Sequence, residues 1–274
     1  MHGSPAGMVT FAVHPVPAAA RAPARFPTAT VVIPARYGST RLPGKPLLDI
    51  AGRPMIEHVH RRASAAAGIR RVIVATDDDR IAETVSGFGG EAWLTRADHP
   101  TGSDRLAEVA RRLNSEIIVN VQGDEPLMPA PVIQAVVAML ARDPGLGIAT
   151  VRCPLTDPEM LADPNIVKVV VDARGDALYF SRAPIPHARD RAPERAALGD
   201  RHIGLYAYRR TCLLELAAIP PTPLERLERL EQLRALESGY RIGTFATDQA
   251  PVAVDTAADL ERVRHLFATE HAND

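Results

Sequence analysis

Three fixed positive charges lie close together in the stretch PARYGSTRLPGKPL, residues 34–47. Arg36, Arg41 and Lys45 share this stretch with glycine and proline residues, and it contains no acidic residue. Arginine makes paired hydrogen bonds to phosphate oxygens, and lysine supplies a point charge. The stretch therefore predicts a loop, shaped by glycine and proline, that binds a polyphosphate. A solvated loop whose charges pair with distant acids is the alternative.

The stretch differs from two common phosphate-binding loops. Five residues separate Gly38 from Gly44, and Pro46 stands where a P-loop needs a hydroxyl for magnesium. The stretch also lacks the G-x-G-x-x-G pattern of dinucleotide-binding folds, which argues against a dehydrogenase. The loop follows an apolar strand, and ligands of open parallel sheets bind at the carboxyl ends of strands.

Two aspartates are candidates for holding the magnesium ion that a triphosphate needs. Asp124 lies just past the end of the apolar segment IIVNVQ, at the same predicted edge as Arg36, and Asp255 precedes a predicted helix. Mg²⁺ takes oxygen ligands, usually one or two carboxylates together with phosphates and water. An acid at position 255 could equally cap the helix, as Thr256 beside it could. Glu125 is not included as a ligand, because Pro126 after it indicates a turn.

Composition narrows the class of protein. The chain has 274 residues and a formal net charge of -1, whereas proteins that bind nucleic acid through many phosphates carry a basic excess. Its two cysteines, Cys153 and Cys212, lie far apart, which favours a reducing compartment, here the cytoplasm, over a disulfide scaffold or a zinc site. No apolar segment approaches 18 residues, so we expect no membrane span. Residues 1–28, rich in alanine and proline, are predicted to be a disordered extension.

From Thr28 onward, apolar segments alternate with helical patterns. The segments TATVVIPA, RVIVATD, EAWLT and IIVNVQ predict buried strands. Helical spacing of apolar residues predicts helices over residues 53–67, 79–88 and 131–141, and one more that Ser103 and Asp104 can cap. This alternation predicts an α/β fold, with a mostly parallel central sheet and helices on both faces.

The second half of the chain has a different pattern. GIATVRCP, NIVKVVVD, ALYFSR and RHIGLYAYRR are separated by turns such as DARGD, which predicts a smaller antiparallel region over about residues 148–210. A helix over residues 224–238, the strand YRIGTFAT and a last helix from Ala257 follow. Leucine occupies every third position from Leu224 to Leu236, a row that drifts around a helix. Two interpretations of this row stay open. The leucines pack in the core, or the helix is buried on different faces at its two ends, as at a subunit interface.

Several motifs together resemble one family. PARYGSTRLPGKPL closely resembles the opening motif of the sugar-acid cytidylyltransferases, which make CMP-linked sugar acids. VNVQGDEP and RHIGLYAYR resemble the members that act on 3-deoxy-manno-octulosonate (Kdo), and PLERLERLEQLR and VDTAADLERVR continue the match. The resemblance covers about residues 29–267. The first motif is shared among relatives, whereas the whole set in this order is very specific.

The resemblance implies a Rossmann-like nucleotidyltransferase fold, with one cytidylyltransferase domain over residues 29–274. It implies transfer of CMP from CTP to the anomeric hydroxyl of Kdo, with release of pyrophosphate, for lipopolysaccharide synthesis. The substrate's own hydroxyl is then the nucleophile, and catalysis consists of positioning and charge stabilisation. The triphosphate would be the counter-charge of the basic loop. The implied protein is a cytoplasmic homodimer that binds Mg²⁺ and neither nucleic acid nor a membrane.

The residues expected in the site follow from the motifs and from the predicted sheet edge. Asp124 and Asp255 are the implied ligands of Mg²⁺. The expected catalytic residues are Arg36, Arg41, Lys45 and Asp124. The expected nucleotide-binding residues are Arg36, Arg41, Lys45, Thr76, Asp77, Arg96 and Ser103. The implied sugar-binding residues are Gln122, Arg182, His202, Tyr206, Glu231 and Gln232.

Two other functions stay open at this point. One is a cytidylyltransferase for another sugar acid, such as sialic acid, although QGDEP and RHIGLYAYR favour Kdo. The other is a regulator that binds nucleotide on the same fold without turnover. Loss of a metal-binding aspartate or of the loop cations would indicate a regulator, and this sequence keeps all of them.

Overall fold

The computed structural model describes residues 27–38, 42–99, 101–189, 197–249 and 251–271. The strands are β1 (Ala29–Ala35), β2 (Asp49–Ile50), β3 (Arg53–Pro54), β4 (Ile69–Thr76), β5 (Glu91–Leu94), β6 (Ile117–Asn120), β7 (Ile148–Leu155), β8 (Lys168–Val171), β9 (Ala177–Ser181), β10 (Gly199–Arg209) and β11 (Ile242–Ala246). The helices are α1 (Met55–Ser64), α2 (Asp79–Gly87), α3 (Gly102–Arg111), α4 (Ala130–Arg142), α5 (Pro158–Ala162), α6 (Arg210–Leu216), α7 (Pro223–Glu228), α8 (Gln232–Glu237) and α9 (Ala257–His271). A short 3₁₀ turn covers Lys45–Leu47.

Among the described residues, nine strands form one mixed sheet, in which seven follow the order β11-β7-β10-β6-β1-β4-β5 and β8 and β9 lie off this path. Strands β2 and β3 form a separate antiparallel pair. Strand β1 lies at the centre, parallel to both β4 and β6, and β5 extends the parallel part beyond β4. Strand β10 runs antiparallel to β6, β7 and β8, and β8 pairs antiparallel with β9. The predicted α/β fold, with a parallel sheet and a smaller antiparallel region, is confirmed.

Alternate residues of β1 pack into opposite layers of the core. Val31 and Ile33 belong to the cluster that contains Ile56 of α1, whereas Val32 belongs to the cluster that contains Leu106 of α3. Successive side chains of a strand point to opposite faces of the sheet, so a strand covered on both faces is apolar throughout. Helices on both faces therefore bury β1 and fix its carboxyl end in place.

The predicted helix over residues 224–238 is wrong, because two short helices occupy this stretch. Arg229, between α7 and α8, adopts a left-handed backbone conformation with a φ of 52°. The break changes the direction of the leucine row: Leu227 is 80% exposed, whereas Leu233 is fully buried. A straight helix would carry a row of period three progressively around its axis. The break instead lets the second half of the row pack into the core.

Residues 1–26 lie outside the described part of the chain, so the predicted disordered extension is untested. The described chain begins just before β1, where the carbonyl of Thr28 accepts the backbone N–H groups of Glu116 and Ile117, both at 3.0 Å. We expect a chain that starts at Thr28 to match the full chain in melting temperature and turnover, because these bonds are kept. Thermal unfolding and an activity assay of both chains test this prediction, and a drop of several degrees would contradict it.

Candidate active site

The carboxyl ends of β1, β4 and β6 meet at one edge of the sheet and bring three loops together. Arg36 follows β1, Asp77 follows β4, and the turn that contains Gly123 and Asp124 follows β6. A Cβ atom at Gly123 would lie 2.9 Å from the carbonyl oxygen of Pro34, closer than two such atoms can approach. Glycine at this position therefore lets the β6 turn pack directly against β1.

The ammonium group of Lys45 is the centre of this edge. Its Nζ atom donates to Asp124 Oδ2 at 2.7 Å, to the carbonyl of Val254 at 2.9 Å and to Asp255 Oδ1 at 3.3 Å. The side chain is only 14% exposed, and three acceptors match the three donors of an ammonium group. Lys45 thus has a counter-charge within the protein, and the prediction that the triphosphate alone balances the loop is incomplete.

Backbone contacts hold the two aspartates side by side. The N–H of Val254 donates to the carbonyl of Asp124 at 2.8 Å, which fixes the segment before α9 against the β6 turn. Thr256 and Asp259 form the cap of α9: Asp259 Oδ2 accepts the N–H of Thr256 at 2.8 Å, and Thr256 Oγ1 accepts the N–H of Asp259 at 3.2 Å. Thr256 therefore caps this helix with its hydroxyl, and Asp255 carries its carboxylate to Lys45.

The donor set of this edge fits a magnesium ion that is shared with a phosphate ligand. Two carboxylates, those of Asp124 and Asp255, converge on one cationic group. Among the described residues, no cluster of three or more His, Cys, Asp or Glu side chains could hold a metal ion. One or two carboxylates completed by phosphates and water is the usual way in which proteins bind Mg²⁺.

Glu125 lies beside the Asp124 and Asp255 carboxylates, and its own carboxyl group is buried. It is 7% exposed, and its Oε2 atom has no hydrogen-bond partner among the described residues. Burial, together with the neighbouring negative charge of Asp124, raises the pKa of Glu125 to about 8. Glu125 is therefore mostly protonated at neutral pH, so the negative charge beside Lys45 comes from Asp124 and Asp255.

Arg36 is exposed at the end of β1 and is held by the loop after β5. Its Nη2 atom donates to the carbonyl of His99 at 3.1 Å. The buried ring of His99 pairs with Glu108 of α3, and Glu108 also accepts the N–H of Arg96 at 3.2 Å. These contacts fix the loop that receives Arg36. Arg41, the remaining predicted cation of the basic loop, lies outside the described residues.

Residues at the carboxyl ends of β4 and β5 surround a buried arginine that the sequence analysis did not single out. Thr76 is fully buried, and its carbonyl accepts the N–H of Thr95 at 2.8 Å. Arg105 of α3, also fully buried, donates to Thr95 Oγ1 at 2.7 Å and places Nη2 3.2 Å from Asp77 Oδ2. Arg105 therefore fixes Asp77 at the sheet edge. Arg96 points outward, 68% exposed, with its guanidinium on Asp98.

A pocket of about 280 Å³ opens beside this edge, between β6, β10, α3 and the α7–α8 segment. Five of the predicted residues line it: Ser103, Gln122, Tyr206, Glu231 and Gln232. Other lining residues include Asn120, Tyr208 and Arg234, which the sequence analysis did not predict. Tyr206 both lines the pocket and is 9% exposed, so its predicted core and binding roles are compatible.

Burial and polar contacts set the charge state of the acid in this pocket. Burial raises the pKa of Glu231, and hydrogen bonds from the hydroxyls of Ser103 and Thr101 oppose that rise. The Ser103 hydroxyl thus faces the pocket, and the predicted helix cap at Ser103 is wrong. Thr101 caps α3 instead, since its side chain accepts the N–H of Asp104 at 3.2 Å.

Two predicted sugar-binding residues make other contacts. The ring of His202 pairs with Thr150 Oγ1 at 2.9 Å, and burial lowers the pKa of His202 to about 3. His202 is therefore neutral and offers no charge to a carboxylate. Arg182 donates to the carbonyls of Glu228 and Pro164, at 2.8 and 2.9 Å. Both residues lie in motifs near the pocket without lining it.

Comparison with known proteins identifies the family. Residues 30–242 match the cytidylyltransferase family. A 3-deoxy-manno-octulosonate cytidylyltransferase of Syntrophotalea carbinolica is 57% identical over 86% of this chain and 98% of the relative. One of Geobacter sulfurreducens is 51% identical over 85% and 97%. A solved structure of CMP:2-keto-3-deoxy-manno-octonic acid synthetase in complex with CTP superposes with a TM-score of 0.84, at 48% identity over 88% of this chain and 99% of that chain. The chain belongs to the cytidylyltransferase family and, within it, to the 3-deoxy-manno-octulosonate cytidylyltransferases.

Proposed function

We propose that the chain transfers CMP from CTP to the anomeric hydroxyl of Kdo, giving CMP-Kdo and pyrophosphate for lipopolysaccharide synthesis. The observation that carries this proposal is the Lys45 ammonium bonded to both Asp124 and Asp255 at the carboxyl edge of the parallel strands. A cation from the basic loop and two carboxylates at one point suit a triphosphate that arrives with a divalent metal. The names of the relatives and of the solved structure supply the substrates.

The residues of the edge would act by positioning and by charge. Arg36, Arg41 and Lys45 would bind the phosphates of CTP and stabilise the negative charge that develops on the departing pyrophosphate. Asp124 and Asp255 would hold Mg²⁺, which neutralises phosphate oxygens and polarises the α-phosphate when bound. Asp77, which Arg105 fixes, would position the nucleoside together with Arg96 and Ser103. Thr76, which is fully buried, would support Asp77 from within the sheet. The acceptor hydroxyl attacks the α-phosphate, so no side chain forms a covalent bond.

The pocket beside the edge would hold the sugar acid. Its lining combines the amides of Gln122 and Gln232, the carboxyl group of Glu231 and the phenol of Tyr206, which suit a ligand with many hydroxyls. Because His202 is neutral, it would contribute a hydrogen bond, and Arg182 would support the wall of the pocket through Glu228 and Pro164. Arg234 also lines the pocket, and its guanidinium is paired with the Glu225 carboxylate at 2.5 Å.

The cellular compartment and the oligomeric state stay predictions. Free, buried Cys153 and Cys212 support a reducing compartment such as the cytoplasm. The homodimer rests on the resemblance alone. Among the described helices, none is long and apolar enough to cross a membrane.

An end-point assay with each of the four NTPs and a panel of sugar acids tests the proposed function. We expect pyrophosphate release only with CTP and Kdo together, because a transferase needs both the donor and the acceptor. Turnover with sialic acid in place of Kdo would favour the other sugar-acid cytidylyltransferases. Nucleotide binding without pyrophosphate release in any combination would favour a regulator.

A further inference from the structure

An arginine of α2 stacks on the tyrosine of the basic loop. The guanidinium carbon of Arg80 lies 3.3 Å from the centre of the Tyr37 ring. Asp78 holds this guanidinium from its edge, with Nε and Nη2 of Arg80 at 3.0 and 2.6 Å from its two carboxylate oxygens. Asp78 also caps α2, because Oδ1 accepts the N–H of Arg80 at 3.0 Å. The guanidinium plane is thus fixed to the start of a helix.

The other contacts of Tyr37 reach the residue before Lys45. The carbonyl of Tyr37 accepts the N–H of Gly44 at 2.9 Å, and this bond closes the base of the basic loop. A Cβ atom at Gly44 would lie 3.1 Å from the Tyr37 ring, and the φ of Gly44 is 67°. Glycine is required there for both reasons: the ring lies against the backbone, and the left-handed conformation disfavours other residues. Lys45 follows directly.

We propose that Arg80 is a positioning residue for the phosphates of CTP. Stacked on Tyr37 and held by Asp78, it clamps the base of the loop that presents Arg36 and Lys45, and it does so without contacting the ligand itself. The proposal rests on the proposed function, because it takes the triphosphate, and after the reaction the pyrophosphate, as the ligand of this loop.

The cost of ordering a loop explains why such a clamp is useful. A loop that must be ordered when its ligand binds loses affinity, so a contact that fixes its base beforehand favours phosphate binding. A cation held over an aromatic face is stabilised by the ring, and the planar guanidinium suits this geometry better than an ammonium does. Arg80 is 57% exposed, so its replacement leaves the buried core untouched.

Calorimetric binding of inorganic pyrophosphate in the presence of Mg²⁺ tests the clamp without requiring turnover. For Arg80→Ala and for Tyr37→Leu we expect the dissociation constant to rise by about two- to fivefold, the range of an exposed cation–π contact. Tyr37→Phe keeps the ring and should bind like the wild type. Arg80→Lys keeps the positive charge but loses the planar guanidinium that stacks on the ring, so it should bind pyrophosphate nearly as weakly as Arg80→Ala. The KM for CTP should rise by the same factor, with the KM for Kdo unchanged.

Arg174→Ala is the matched control. Arg174 is also exposed and pairs with an aspartate two residues before it, Asp172 at 3.2 Å, but it lies in the turn between β8 and β9. Arg174→Ala should bind pyrophosphate like the wild type. Arg80→Ala should lower the melting temperature no more than Arg174→Ala does.

Three results would overturn the clamp: wild-type affinity in both Arg80→Ala and Tyr37→Leu, weakened binding in Tyr37→Phe, or no pyrophosphate binding by the wild type. The expected binding differences without any CTP- and Kdo-dependent turnover would instead contradict the proposed function and leave the clamp in place.

Discussion

Replacing either aspartate of the edge by asparagine is expected to lower kcat by about a hundredfold or more, the size of the effect when one charge-stabilising group is lost. Asparagine keeps the shape of the side chain but not the negative charge that would attract the proposed Mg²⁺, and an amide is a weaker ligand than a carboxylate. Both variants should fold like the wild type. Asp124→Asn should have a larger effect than Asp255→Asn, since it also weakens the shorter contact that positions the Lys45 ammonium, 2.7 Å against 3.3 Å.

Steady-state kinetics across a magnesium titration, with thermal unfolding of each variant, measure this effect. Asp172→Asn, in the turn between β8 and β9, is a control for the loss of one aspartate charge away from the edge and should keep wild-type kcat. Near wild-type kcat at saturating magnesium in either edge variant would remove that aspartate from the metal site.

Much of the fold could be predicted because its signals are local. Strand β1 is apolar on both faces, and helix α3, which buries Leu106, has helical spacing of its apolar residues. Both elements could therefore be predicted from their own segments. The break between α7 and α8 was missed because Arg229 adopts its left-handed conformation without a glycine or proline to indicate it. The signal that could have indicated it is the leucine row itself, since one straight helix cannot bury a row of period three.

The site was less predictable because its contacts join distant parts of the chain. Lys45 reaches Asp124 across 79 positions and Asp255 across 210. The types of these residues predicted their chemistry, but no local pattern shows that the loop cation bridges the two acids. Arg105 was missed for a related reason: inside a helix an arginine is usually solvated, and its burial against Asp77 and Thr95 depends on the packing of α3 on the sheet.

Lys45→Ala is expected to change two quantities in opposite directions. Turnover should fall by about 10²–10³, the typical effect of removing one preorganised donor to developing charge, with KM for CTP raised and KM for Kdo little changed. Binding of a divalent cation to the nucleotide-free protein should become tighter. In the wild type the ammonium lies between Asp124 and Asp255, where it bonds to both carboxylates and would compete with a metal ion for them.

Calorimetry with Mn²⁺ alone, without CTP, separates these two effects. Without the ammonium the two carboxylates repel each other, and a divalent ion can supply the positive charge that Lys45 supplied. Mn²⁺ should therefore bind Lys45→Ala more tightly than the wild type. The double variant Lys45→Ala with Asp124→Asn should lose this gain, because one of the two ligands is neutral. Equal Mn²⁺ affinity in the wild type and Lys45→Ala would mean that the ammonium and the metal use different sites. The metal would then bind before the nucleotide without hindrance, whereas competition at one site favours its arrival together with the triphosphate that draws Lys45 away.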